Sequence, residues 1–85
     1  MVFVYVICSM SRGWRYVGMT SDLYRRLTQH QRGESPATRR IRGPWRLIYF
    51  EACSNRVDAR KRELFLKSGS GREWLQKTLN IHAHE

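Results

Sequence analysis

The chain predicts a small α/β sandwich, a three-stranded and mainly antiparallel sheet flanked by helices in the order β-β-α-β-α-α. Three observations predict it. Phe3-Val-Tyr-Val-Ile7 and Trp14-Arg-Tyr-Val-Gly18 are rich in β-branched and aromatic residues, and the turn-forming Ser9-Met-Ser-Arg-Gly13 between them makes a hairpin. Trp45-Arg-Leu-Ile-Tyr-Phe-Glu51 is a third strand, and its nearly unbroken apolar run predicts a central strand covered on both faces. The remaining apolar residues recur at helical spacing. With 85 residues, one domain with a thin core is expected.

Each helix has its own boundary signals. Met19-Thr-Ser-Asp22 offers an N-cap for a helix over Leu23 to Gln31, and Gly33 ends it. Asn55 with Asp58 caps a helix over Val57 to Lys67, which Ser68-Gly-Ser-Gly71 breaks. Ser70 and Glu73 have capping-box spacing for a last helix over Arg72 to Leu79, with Trp74, Leu75 and Leu79 as its buried stripe. Asn80 to Glu85 carries no pattern and reads as a frayed tail, where His82 and His84 have the spacing of a surface metal clip. Arg32 to Pro44, with two prolines and two glycines, reads as a basic loop.

Charge narrows the function. Sixteen Lys and Arg against seven Asp and Glu give a net charge of +9, and thirteen of the cations are arginine. Forked guanidinium donors suit phosphate, so a polyanion, first of all nucleic acid, is the expected partner. Arg12, Arg32, Arg39, Arg40 and Arg42 are the expected phosphate-gripping residues. Of the tryptophans, Trp45 and Trp74 are expected in the core and Trp14 near the hairpin tip. Cys8 and Cys53 lie in apolar strand-like runs without a CxxC partner, which predicts two reduced, buried thiols. No apolar run has membrane-spanning length, and the opening residues lack the charged start of a signal peptide, so a cytoplasmic protein is expected.

Helical phase raises the chemical question. Leu23 and Leu27 mark the apolar stripe of the first helix; Arg25 points away from it, while Arg26 and His30 fall beside it. On the second helix Ala59, Glu63 and Leu66 share a face, and Arg60 and Lys61 turn outward. Two helices therefore aim charges at the sheet, where Tyr5 and Tyr16 lie on the paired strands. An internal Arg26–Glu63 salt bridge is one explanation. A functional site is the other, since two phenols and an imidazole exceed what one ion pair needs.

Phe3-Val4-Tyr5 followed by Tyr16-Val17-Gly18, eleven residues from tyrosine to tyrosine, resembles the paired signatures of the GIY-YIG nuclease superfamily. The resemblance continues through Thr20-x-Asp22-Leu23-x-x-Arg26-Leu27-x-x-His30 and Ala59-x-x-x-Glu63-x-x-x-Lys67, covers Val2 to Leu75, and points to the small single-domain branch. It implies the following roles: Tyr5 activates the attacking water, Tyr16 orients water or phosphate, and Gly18 lets the chain pass close to the site. Arg26 holds the scissile phosphate, His30 handles protons, and Glu63 binds one divalent cation, magnesium or manganese. A tyrosine with its usual pKa of about 10 serves as a base only if nearby cations, Arg26 and the metal, lower it. Phe3 replaces the name-giving glycine, Met19 stands where some members have lysine or glutamine, and the family's late asparagine has only Asn80 as a candidate.

These residues imply a metal-dependent DNA endonuclease acting in repair, recombination or mobile-element processing. The alternative is a non-catalytic or weakly active nucleic-acid-binding module of the same fold, with RNA binding or cleavage as a third reading. A bare catalytic module also suggests that a homodimer or a partner protein supplies targeting.

Overall fold

The computed structural model describes residues 1–83, and side chains as far as residue 80. Strand β1 (Val2–Ser9) turns into β2 (Arg15–Thr20), followed by helix α1 (Leu23–Gln31), strand β3 (Trp45–Cys53), and helices α2 (Arg56–Lys67) and α3 (Gly69–Ala83). The sheet is antiparallel with strand order β2-β1-β3. The predicted element order is therefore the observed one.

The expected position of β3 is corrected: it is an edge strand, and β1 is central. Phe50 is 51% exposed accordingly. The cause of the misreading is a bulge. Val6 pairs with Tyr49 and Ile7 with Leu47, so Ile48 is the extra residue. An inserted residue breaks the two-residue alternation, and the run then reads as apolar on both faces.

Alternation along β1 divides the core. Val4 and Val6 face one way, into a cluster with Ala59 and Leu66 of α2 and Leu75 of α3. Tyr5 and Ile7 face the other, with Trp45 and the half-buried Tyr16, Leu23 and Leu27 of α1. One layer of helix thus covers each face of a single sheet.

Caps fix the helices. The Asp22 carboxylate accepts from the Arg25 amide at 3.0 Å and starts α1. Asn55 accepts from the Asp58 amide at 2.9 Å and starts α2. α3 begins three residues earlier than its expected start, with Ser68 as the cap: its hydroxyl accepts from the Gly71 amide at 3.1 Å, and its carbonyl from the Arg72 amide at 3.0 Å. The expected frayed tail is also corrected, since α3 runs on through Ala83. His84 and Glu85, and with them the His82–His84 pair, lie outside the described residues. Trp74 is not core but 38% exposed, held edge-on by Tyr49 and Phe65 and lying under Arg62. Cys8 and Cys53 are free thiols and half-buried. No helix among the described residues is long and apolar enough to cross a membrane.

Candidate active site at the sheet edge

Gly18 determines where the site forms. It sits opposite Tyr5 on the neighbouring strand. A Cβ on Gly18 would stand 2.6 Å from the Tyr5 hydroxyl and 2.9 Å from the Tyr16 ring. Without one, the Tyr5 side chain lies over β2 with its hydroxyl against Gly18.

There it meets α1. The Tyr5 hydroxyl lies 2.8 Å from His30 Nε2. The other ring nitrogen, Nδ1, lies 2.6 Å from the Thr38 hydroxyl. Tyr5, Tyr16 and His30 form a nest of tilted rings with centroids 5.4 to 6.4 Å apart, closed behind by Trp45 at 6.3 Å from the imidazole. His30 is 2% exposed. Burial, with the Arg26 charge second, pushes its pKa down to about 4, so the imidazole is neutral at pH 7. Burial also raises the Tyr5 pKa, as do Tyr16 and Glu63, while Arg26 lowers it. Of the two cations expected to lower the Tyr5 pKa, Arg26 by itself does not bring it below the ordinary value. Arg26 pulls in that direction, but burial outweighs it.

Glu63 arrives from the opposite face. It is 6% exposed on the same stripe of α2 as the buried Ala59 and Leu66. Its two oxygens are held by Arg60 Nη1 at 2.5 Å and Lys67 Nζ at 3.2 Å. Arg60 turns to solvent as expected, and its guanidinium reaches back to the carboxylate from there. Among the described residues, Arg26 forms no ion pair, so the alternative Arg26–Glu63 bridge is not present. Arg26 instead lines an open cavity of about 280 Å³ with Thr20, Ser21, Asp22, Arg25 and Gln29. Arg25, exposed and away from the apolar stripe as expected, lines the same open cavity. Tyr16 lines a different and larger cleft of about 640 Å³, rimmed by Arg15, Lys67 and Arg72. Arg26 and Tyr16 thus line separate cavities. Tyr5 and His30 make a buried pair.

The segment read as a loose basic loop is tied down. Thr38 and Ser35 are buried, with backbone turns from Ser35 to Thr38 and Arg39 and from Thr38 to Ile41. The Gln31 side chain donates to the Trp45 carbonyl and accepts from its amide at 2.8 Å. The Ser9 and Ser11 hydroxyls both donate to the Arg42 carbonyl, which fastens the loop to the hairpin turn. Arg12, Arg32, Arg39, Arg40 and Arg42 are all exposed around this segment.

A divalent cation has a limited donor set here. No cluster of three or more His, Cys, Asp and Glu occurs among the described residues. The carboxylate of Glu63 remains a hard donor, and it already attracts two cations. A magnesium-like ion that keeps most of its waters needs only one or two carboxylates. The donors fit such an ion, provided that it displaces Arg60 or Lys67.

Known proteins resemble this chain in sequence and fold. The solution NMR structure of the UPF0213 protein BH0048 from Bacillus halodurans superposes with a TM-score of 0.56 at 31% identity, covering 92% of this chain and 85% of that one. The UPF0213 protein CPE1444 of Clostridium perfringens is 36% identical over 61 residues, which are 72% of this chain and 66% of that protein. The UPF0213 protein DP2720 of Desulfotalea psychrophila is 38% identical over 66 residues, 76% of this chain and 59% of its own. The match thus spans slightly less than two thirds of both relatives. A family model described as the GIY-YIG catalytic domain matches residues 1–80. With its paired tyrosines, the helical arginine and histidine, and the inward glutamate all inside that match, the chain belongs to the GIY-YIG catalytic domain family, whose chemistry is that of nucleases.

Proposed function

We propose that this protein is a divalent-metal-dependent DNA endonuclease in which Tyr5, Tyr16, Arg26, His30 and Glu63 form the active site. One observation carries the reading: a buried phenol is hydrogen-bonded to a neutral imidazole at 2.8 Å, with a guanidinium and a carboxylate close enough to shift its pKa. Burial holds the Tyr5 proton too tightly for the phenolate to form on its own. His30 Nε2 is the adjacent acceptor, and the negative charge of the bound phosphate would stabilise the imidazolium that forms. As water attacks phosphorus, it gives a proton to the Tyr5 oxygen, and the original Tyr5 proton passes to His30 Nε2. The water oxygen bonds to phosphorus while the bond to the leaving sugar oxygen breaks, and that oxygen takes its proton from solvent.

Arg26 is half-buried in an open cavity, where a guanidinium has room to fork onto two phosphate oxygens and offset the growing charge. Tyr16, half-buried beside the pair, limits how the phosphate approaches. Glu63 would hold the cation, magnesium or manganese, and the bound ion would neutralise charge on the leaving group. Arg60 and Lys67, released by it, would face the phosphate backbone. The exposed arginines of the hairpin and the Arg32–Pro44 segment grip flanking phosphates. Repair, recombination or mobile-element processing in the cytoplasm, through a homodimer or a targeting partner, is the setting that such a compact module suits.

The test is cleavage of labelled single-stranded, duplex, nicked and branched DNA with magnesium, manganese or chelator. Glu63→Gln and Arg26→Ala are each expected to lower kcat at least about a hundredfold, the usual loss for one group that stabilises transition-state charge. DNA affinity should change by less than about threefold for Glu63→Gln, since Glu63 would hold the cation and not the DNA backbone. Cleavage that persists undiminished in chelator would overturn the metal assignment. A wild-type chain that binds DNA but cuts none of the panel would leave a binding module instead.

A further inference from the structure

We propose that Thr38 is a positioning residue that sets the tautomer of His30, and so prepares Tyr5 to hand over its proton. The proposal deepens the nuclease reading and rests on it for the role of Tyr5. Its basis is the pair of contacts on the imidazole: the Tyr5 hydroxyl at Nε2, and the Thr38 hydroxyl at Nδ1, 2.6 Å away.

Two hydrogen-bond patterns satisfy these distances. In the first, Tyr5 donates to Nε2, and Nδ1–H donates to Thr38. In the second, Thr38 donates to Nδ1, and Nε2–H donates to Tyr5. Only the first lets His30 receive the Tyr5 proton, because the second already has a hydrogen on Nε2. Acidity favours the first. A phenol, with a pKa near 10, is a far better donor than an aliphatic hydroxyl and a poorer acceptor. Thr38 is the better acceptor of the two and takes the Nδ1–H. Its backbone is locked for that purpose, since its amide donates to the Ser35 carbonyl at 3.1 Å and its carbonyl accepts from the Ile41 amide at 2.9 Å. The residue is 1% exposed, so no water competes for the contact.

Thr38 also lies in the segment that carries the exposed Arg39, Arg40 and Arg42. Phosphates gripped by those arginines therefore bear on the same turn that holds the histidine. The segment joins substrate binding to the protonation geometry of His30 through one hydroxyl.

The experiment compares the full chain with Thr38→Val, which keeps the shape and removes the hydroxyl, and Thr38→Ser, which keeps the hydroxyl. The first readout is the imidazole ¹⁵N spectrum of His30, which separates a protonated from a bare ring nitrogen. The wild-type chain and Thr38→Ser should show hydrogen on Nδ1. Thr38→Val should move it to Nε2 in most molecules, because a buried Nδ1–H without an acceptor is costly. The second readout is kinetic: kcat in Thr38→Val should fall about tenfold, the equivalent of one buried hydrogen bond, with KM unchanged and the rate restored in Thr38→Ser. A folded Thr38→Val protein that keeps Nδ1–H, or one that changes tautomer without losing kcat, overturns the proposal. Absence of cleavage by the wild-type chain overturns the nuclease reading instead, while the spectrum still decides the tautomer.

Discussion

His30 is a buried titratable group, so it ties stability to pH. Its folded pKa is about 4, against an ordinary value near 6.5 in the unfolded chain. Between those values the unfolded chain binds more protons, and stability therefore rises with pH across the window and is lost on acidification through it. The groups facing the imidazole are Tyr5, Tyr16, Thr38 and Trp45, with the Arg26 charge beyond them, and none of these supplies an anion to a protonated ring. Urea melts from pH 7 to pH 4 should lose on the order of 3 kcal/mol through this residue, and His30→Gln should remove most of that slope. An unchanged slope in the variant would place the acid sensitivity elsewhere. Periodicity alone brought Tyr5, Tyr16, His30 and Glu63 inward, because the alternation of strands and the phase of helices are written directly in the sequence. The partners were not legible. Thr38 sits in the aperiodic segment from Arg32 to Pro44, which read only as a basic loop. Arg60 lies on the outward face of α2, and its reach back to Glu63 is a property of a long side chain, not of spacing.

Elements were read well wherever period and caps agreed, as for α1, whose expected and observed ranges coincide. They were misread where a local irregularity hid the pattern. The Ile48 bulge disguised β3 as a central strand. At the start of α3, two glycines suggested a break, yet Gly71 is there because α2 and α3 nearly touch: a Cβ would stand 1.8 Å from the Phe65 carbonyl oxygen. The same edge of the sheet is reinforced by side chains that no motif marks. Glu51 on β3 accepts from Arg62 at 2.5 Å and from the Tyr49 hydroxyl at 2.6 Å. Burial alone would raise the Glu51 pKa, but these two hydrogen bonds outweigh it and the net shift is downward. Gly18 on β2 carries the sharpest prediction at this scale. Gly18→Ala should push the Tyr5 hydroxyl off His30 and destabilise the protein by about 1–3 kcal/mol, the usual cost of an overpacked methyl. Thermal melting and the Tyr5–His30 hydrogen-exchange pattern would check it, and an unperturbed pair would mean that β2 yields more easily than its pairing with β1 suggests.

Across the whole molecule, charge is unevenly committed. Ion pairs among the described residues engage Arg60, Arg62 and Lys67, while the net charge is +9. Binding to DNA should therefore weaken steeply with salt. Replacing Arg39, Arg40 and Arg42 together by alanine should lower affinity for every sequence alike and flatten the log–log salt slope by about one unit per lost phosphate contact. Titrations from low to high salt check this, and an unchanged slope would place the phosphates on another surface. One further consequence concerns inheritance rather than mechanism. Tyr5, His30 and Thr38 are among the most completely buried side chains of the fold. Lesions there remove packing together with chemistry, and a loss of 1–2 kcal/mol is enough to cut cellular abundance several-fold. Arg26 is half-exposed and holds nothing up. A null allele at Tyr5 or His30 should therefore register as missing protein, whereas one at Arg26 leaves the cell with a normal quantity of a silent one.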